Sequence, residues 1–448
     1  MKIFGYRYLP LNIYVGYSIF VLSSLFLGPM KYKDLDYFIL VSFVSVLVLL
    51  FWLGYVIGAR GEYRQCSNCF ESRFISYRRI KPFLAWLLAF GVISSIAQWY
   101  SFFDSGGGLS LSDIGDSYVK GYEGYERGQA KIDFFYILNI IDQALAGLVL
   151  LFSFYYFRVM GGAARYAFLF VVATYLLINV VGTGKQKYLG DVVIFGFFCM
   201  IINLATKGQK FKLRTLAAVA VGAVFVFIMF VEVLRQRYSA AGIGLDNIYE
   251  KTHPLITWDD GALVLGLVSS DYALALGVFL SYFTSGLYGL YLSLTLPFEW
   301  TYFVGNSYSL GRIVEIVFSA DGAILKRTYP YRVDLTYGWG FDKWHSLFSW
   351  LASDITFFGI LLFTPLFSFL YARLWLEAIR ASNPFAGPLF IYLSLGLIFS
   401  FANNQIMHGL AGVIVLVVLL AGWVLSRIFS RQHRSTGMIL VAERRKDE

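Results

Sequence analysis

Charge is scarce in this sequence. Only 15% of its 448 residues are charged, against 58% that are hydrophobic. A soluble chain is nearer to about 25% charged, so the shortage excludes a soluble globular protein, and the apolar excess must face lipid. Cysteine is sparse too, and three residues make no disulfide framework. Cys66 and Cys69 form one Cys-x-x-Cys pair, half of a zinc site without a second half. Cys199 sits inside an apolar run and reads as packing. No zinc-, calcium- or nucleotide-binding motif occurs, nor any internal repeat, low-complexity tract or soluble domain, so no metal and no cofactor is expected. The net charge of +9 would suggest nucleic acid in a soluble chain. Here the charge falls in short loops between apolar runs, where it sets orientation, and no nucleic-acid partner is expected.

Aromatic residues, by contrast, are abundant, at 19% with 32 Tyr and 10 Trp. These two types favour the membrane–water boundary, where the ring is buried and the polar tip stays wet. Apolar runs of spanning length lie near residues 11–28, 38–58, 83–103, 134–157, 165–182, 188–204, 213–234, 347–372, 386–402 and 408–428. Helices are expected, because backbone groups in lipid must be satisfied within the segment. The first run reads as an uncleaved span, with Lys2 and Arg7 before it and no small-residue cleavage site after it. The expected fold is an all-α polytopic membrane protein: a single transmembrane domain over 1–448 with about 10–12 transmembrane helices.

Basic residues orient the spans. The loop at 59–82 carries Arg60, Arg64, Arg73, Arg78, Arg79 and Lys81 against two acids. The loop at 205–214 carries Lys207, Lys210, Lys212 and Arg214 and no acid, and the tail from Arg427 is also basic. The loop at 104–133 is acidic on balance. The first three then lie in the cytoplasm and the fourth outside, with both termini cytoplasmic. Residues 235–346 form one large outer loop. Within it, 262–298 is apolar and rich in Tyr, Leu and Gly. Asp271 and the tyrosines favour a partly membrane-embedded segment there over two further spans.

Cations that oppose this pattern are informative, because charge is expensive at membrane depth. The outer link Gly182-Thr183-Gly184-Lys185-Gln186-Lys187 places two Lys in a tight turn. Either Lys187 snorkels and pairs with Asp191 one turn on, or the turn, two ammonium groups and a helix N-terminus hold phosphate. The seventh span ends Glu232-Val233-Leu234-Arg235-Gln236-Arg237-Tyr238. Its guanidiniums either pair with Glu232 and anchor the span, or bind phosphate oxygens as forks. The second half of the large loop holds Arg312, Lys326, Arg327, Arg332, Lys343 and His345 among Tyr, Trp and Gly. That mixture suits carbohydrate, or simply a folded cap. His345 and Asp354 flank the start of the eighth span as candidate bases. Asp142 within the fourth span is either functional or hydrogen-bonded to a neighbour. His253 and His408 have no partner legible in the sequence.

This pattern resembles the O-antigen and oligosaccharide repeat-unit polymerases of the Wzy type. The resemblance covers most of the chain through topology. Its local pieces are Gly182-Thr183-Gly184-Lys185, Arg235-Gln236-Arg237-Tyr238, Tyr282-Phe283-Thr284-Ser285-Gly286-Leu287-Tyr288-Gly289-Leu290 and Ser353-Asp354-Ile355-Thr356-Phe357-Phe358-Gly359. Arg327 and Gly338 match an Arg-x10-Gly motif of some members, whereas the companion motif in a second outer loop is not evident at 104–133.

The resemblance implies a GT-C-like glycosyltransferase of the bacterial inner membrane. It would move a glycan from undecaprenyl pyrophosphate onto the non-reducing end of a lipid-linked repeat unit at the periplasmic face. No nucleotide sugar and no metal are implied. Partners would be lipid-linked oligosaccharides and membrane lipid, with a polysaccharide chain-length regulator as the candidate protein partner. On that reading Lys185, Lys187, Arg235 and Arg237, assisted by Arg327 and Arg332, would bind pyrophosphate. His345 or Asp354 would accept the proton. The rival readings are an O-antigen ligase and a transporter or flippase of lipid-linked glycan. The cations gather outside and no repeat is present, which disfavours the transporter.

Overall fold

The computed structural model describes residues 5–60, 69–104, 106, 108–110, 114–119, 134–207, 213–244, 253–341 and 343–444. Cys66, most of the 104–133 loop and the side chains of Cys69 and Asp271 lie outside the described residues.

The chain is an all-α polytopic membrane protein. Its helices are α1 (Leu9–Leu27), α2 (Tyr37–Gly58), α3 (Cys69–Asp104), α4 (Phe134–Tyr156), α5 (Gly162–Leu176), α6 (Lys187–Lys207), α7 (Leu213–Ala240), α8 (Ser270–Leu294), α9 (Tyr308–Val317), α10 (Tyr329–Tyr337), α11 (Leu347–Arg380), α12 (Ala386–Phe399) and α13 (Leu410–Arg444). Among the described residues, nine helices are long and apolar enough to cross a membrane, α8 included. The ten apolar runs of the sequence all fold as helices. Two of them are not among the nine. α7 carries Glu232, Arg235 and Arg237 near its end. α12 has 14 residues and reaches only about 21 Å at 1.5 Å per residue.

The N-terminal residues and Arg427 lie on one face. Trp375 Nε1, near the end of α11, donates to Tyr6 O at 3.0 Å, and Tyr55 Oη of α2 donates to Arg7 O at 3.0 Å. Arg427 pairs with Glu377. The opposite face carries the long connections and is called the loop face below.

Two features build the loop face. First, strands β1 (Met30–Tyr32) and β2 (Ile256–Trp258) pair antiparallel, with Lys31 opposite Thr257. Tyr32 Oη then bonds Thr284 Oγ1 at 2.8 Å and Ser285 Oγ at 3.1 Å, pinning α8 to the end of α1. Second, both ends of α8 meet loop-face residues: Tyr272 donates to Glu232 of α7, and Ser293 donates to Ser349 at the start of α11. Phe283 in its middle packs edge-on against Tyr17 and Phe20 of α1. Within 262–298 lie a 3-10 turn, Leu263–Leu267, and the single long helix α8.

α11 is two helices joined by a break at Thr356, whose φ is 65° and ψ 164°. That backbone is strained for a β-branched residue. Thr356 recovers part of the cost by accepting from Gly359 N at 3.0 Å, which starts the second piece. The second piece packs along α2 through small residues. A Cβ on Gly54 would sit 2.1 Å from Pro365 O, and one on Gly58 2.4 Å from Phe369 O. Only glycine allows backbones this close.

Candidate functional site

The turn between α5 and α6 is shaped by its two glycines. α5 continues as a π-helical turn, Leu177–Gly182. Gly184 has φ +66°, and a Cβ there would lie 2.7 Å from Ile114 O and 2.8 Å from Tyr118 Cβ. A Cβ on Gly182 would lie 2.6 Å from the Phe102 ring. Thr183 Oγ1 donates to Asn179 O at 2.7 Å, and Gln186 Nε2 donates to Phe230 O of α7 at 2.8 Å. The turn is thus tied to α7, and Lys185 and Lys187 emerge beside Arg237.

These three cations line one cavity of about 630 Å³. Tyr118, Tyr282 and Trp344 line it too. Val193, Ile194, Val226, Phe279, Phe283 and Ile398 form an apolar wall. The Arg237 guanidinium carbon stands 3.4 Å from the centre of the Tyr118 ring, a cation–π contact. Lys185, Lys187 and Arg237 make no ion pair with a carboxylate among the described residues, and Lys187 and Asp191 do not pair. A second cavity, of about 500 Å³, adjoins on the loop face and shares Tyr118, Arg237, Tyr282 and Trp344. It adds His253, Ser281, Trp339 and Lys343. An anionic group between the cations could therefore carry an apolar tail on one side and an aromatic-bound polar chain on the other.

The remaining predicted cations are placed differently. Arg235 forms a fork on Glu232, at 2.9 and 2.7 Å, and lies over the Tyr272 ring. This is the helical pair allowed by the sequence, and it neutralises Arg235. Arg332 pairs with Glu299 at 3.1 Å and donates to Pro297 O at 2.7 Å. Arg327 donates to Tyr302 Oη at 3.0 Å. The Arg327–Gly338 spacing measures one short helix: Arg327 stands before α10 and Gly338 ends it in a left-handed conformation. None of these three lines the cation cavity.

The two candidate bases do not act as a couple. The Asp354 carboxylate accepts from Thr301 Oγ1, from Gly305 N at 3.1 Å, and from Asn306 N and Nδ2 at 2.8 and 2.6 Å. It is buried, and its acceptor capacity holds the 301–306 loop in place. His345 is also buried, with Nε2 on Gly340 O at 3.1 Å and the ring against Gly289 of α8. Its neighbours Lys343 and Trp344 reach the cavities, and His345 does not line them. Two further histidines, His253 and His408, have partners. His253 Nε2 meets Gly338 O at 2.8 Å, and His408 stacks on Tyr308. Asp142 accepts from Ser94 Oγ, and from Gln98 Nε2 at 3.2 Å.

Sequence reasoning missed Tyr118 and Gln405, and took Asp191 only as a partner for Lys187. A signal for Gln405 was present. The run Ser400-Phe401-Ala402-Asn403-Asn404-Gln405 interrupts two apolar helices with amides, which are costly in lipid unless they line a cavity. Asp191, buried in α6, is the kind of intramembrane carboxylate that warrants a role by its position alone. Among the described residues, no group of three His, Cys, Asp or Glu side chains is placed to hold a metal ion. Compared with family models, with curated proteins and with solved structures, the chain matches none.

Proposed function

We propose that this chain is a lipid-linked oligosaccharide polymerase of the Wzy type, acting at the periplasmic face of a bacterial inner membrane. The observation that carries the reading is the convergence of Lys185, Lys187 and Arg237, unpaired with described carboxylates, in a cavity with one apolar wall. Undecaprenyl pyrophosphate has the matching shape: a dianionic head between an isoprenoid tail and a sugar. The tail fits along α7 and α8, where Val224, Phe225 and Ile228 are exposed. The glycan fits the adjoining aromatic cavity with Trp339 and Trp344. Fixed cations stabilise the charge that develops on a departing pyrophosphate, and they need no reorganisation when it leaves. The phosphoanhydride-activated sugar supplies the driving force, so no nucleotide is consumed.

The loop face is then periplasmic, and both termini are cytoplasmic. Polysaccharide profiling of a cell lacking the chain tests the reading. Lipid A capped with a single repeat, and no longer chains, is the expected profile. Loss of all capped lipid A, with polymer still accumulating on undecaprenyl pyrophosphate, would instead assign a ligase. An unchanged profile would contradict both.

A further inference from the structure

Beside the cation cavity lies a cleft of about 450 Å³ between α3, α4, α6 and the connection into α13. It shares Lys187, Tyr188 and Gln405 with the cation cavity. Among its apolar walls stand polar groups that are uncommon within a helix bundle in lipid: Gln98, Asn139, Gln143 and two carboxylates, Asp142 and Asp191. The carboxylates differ. Asp142 is occupied by Ser94 and Gln98. Asp191 is 6% exposed, and its Oδ1 has no hydrogen-bond partner among the described residues. Nε2 of Gln405 has none either.

Gln405 faces Asp191 across the cleft, and neither Nε2 nor Oδ1 closes a hydrogen bond of ordinary geometry. Leaving such groups unpaired in a buried site is costly, and a hydroxyl, which donates and accepts at once, satisfies both. Neutral amides around them suit a sugar and not an anion. Asp191 also stands one helical turn from Lys187, about 6 Å along the axis. A pyrophosphate held at Lys187 and a hydroxyl held at Asp191 would flank a single anomeric carbon.

We infer that this cleft holds the acceptor sugar and that Asp191 takes the proton from its attacking hydroxyl, an inference that rests on the polymerase reading. The hydroxyl oxygen forms the new bond to the anomeric carbon. The bond from that carbon to the pyrophosphate oxygen breaks, and undecaprenyl pyrophosphate leaves with the electron pair. The proton passes to Asp191. Asp142 positions Gln98, and Gln405 donates to the attacking oxygen.

The test uses the purified full-length chain in lipid nanodiscs, with lipid-linked repeat units extracted from cells that lack it. Asp191→Asn should lower turnover by about 10²–10⁴-fold, the contribution of a positioned base. It should also remove the acidic limb of the pH–rate profile and leave binding of undecaprenyl pyrophosphate unchanged. Asp191→Glu should restore part of the rate. Gln405→Met, which keeps the carboxylate, should raise KM for the acceptor more than it lowers kcat. Wild-type turnover with an intact acidic limb in Asp191→Asn would overturn the inference. So would loss of undecaprenyl pyrophosphate binding in that variant, since a structural role would cause it. If the active wild type accompanies an active Asp191→Asn, the inference alone fails. A wild type that makes no polymer overturns the polymerase reading and the inference together.

Discussion

Arg235 and Arg237 look equivalent in the chain, yet their surroundings divide them. Arg235 spends its fork on Glu232, and Arg237 faces the cavity over Tyr118. Arg237→Ala should therefore reduce polymerisation by roughly 10²–10³-fold, the usual loss for one preorganised charge-stabilising group. Arg235→Ala, Arg327→Ala and Arg332→Ala should each retain most of the wild-type rate. A reconstituted ladder assay separates them, and equal losses in all four would contradict the assignment. Asp354 invites a similar comparison. If it anchors the 301–306 loop, Asp354→Ala leaves the backbone donors of Gly305 and Asn306 without an acceptor, while Thr301 keeps the Ser353 carbonyl. Each buried orphan costs about 1–3 kcal/mol, so the variant should melt at lower temperature and become sensitive to protease in that loop. A base would give the opposite result, a stable but inactive variant. Tyr32 adds a pH test. Burial pushes its hydroxyl up to about 12, while hydrogen bonds from Ser285 and Thr284 oppose the rise. Its folded pKa exceeds the unfolded value near 10, so its contribution is full below pH 10 and is lost as pH rises toward 12. Tyr32→Phe should flatten the fall in melting temperature over that window.

Helices were legible from apolar runs alone, because lipid demands long uninterrupted segments whose backbone satisfies itself. All ten runs fold as helices, and the glycine turn at 182–184 forms where its spacing suggested. What the chain did not display is long-range partnership. Ser353-Asp354-Ile355-Thr356 reads locally as the opening of a span. Folded, it is a break: Asp354 secures a loop some fifty residues earlier, and Thr356 caps a new helix. Likewise, nothing near Arg332 in sequence announces Glu299 as its partner. All three cations of the site were readable, because Lys185, Lys187 and Arg237 violate a local rule about loop charge. Asp191 and Gln405 escaped as a pair because 214 positions separate them and only packing of α6 against the 400–409 connection unites them. The turn itself is testable. Gly184→Ala forces a positive φ on a residue with a Cβ and drives that Cβ into Ile114 O and Tyr118. It should cost about 1 kcal/mol or more of stability. It should also lower activity more than Gly161→Ala does, where a Cβ meets nothing.

The bundle presents two unlike faces, which the proposed function places in two compartments. Single cysteines introduced at Lys326 on the loop face and at Arg158 on the other should therefore differ in labelling. An impermeant maleimide added from the periplasm should label the first and spare the second, and the reverse pattern would invert the topology. Within that frame, three cations without described carboxylate partners sit between an apolar wall, an aromatic cavity and a polar cleft. This arrangement suits one molecule with a lipid tail, a pyrophosphate and a sugar, meeting a second sugar. The most direct test is to give purified full-length chain in nanodiscs nothing but lipid-linked repeat units and to resolve the products by length. A ladder of multiples of the repeat is expected, with release of undecaprenyl pyrophosphate, and the ladder should be lost in Arg237→Ala and Lys187→Ala. Unextended single repeats from folded wild-type protein, or an undiminished ladder from both variants, would contradict the polymerase reading.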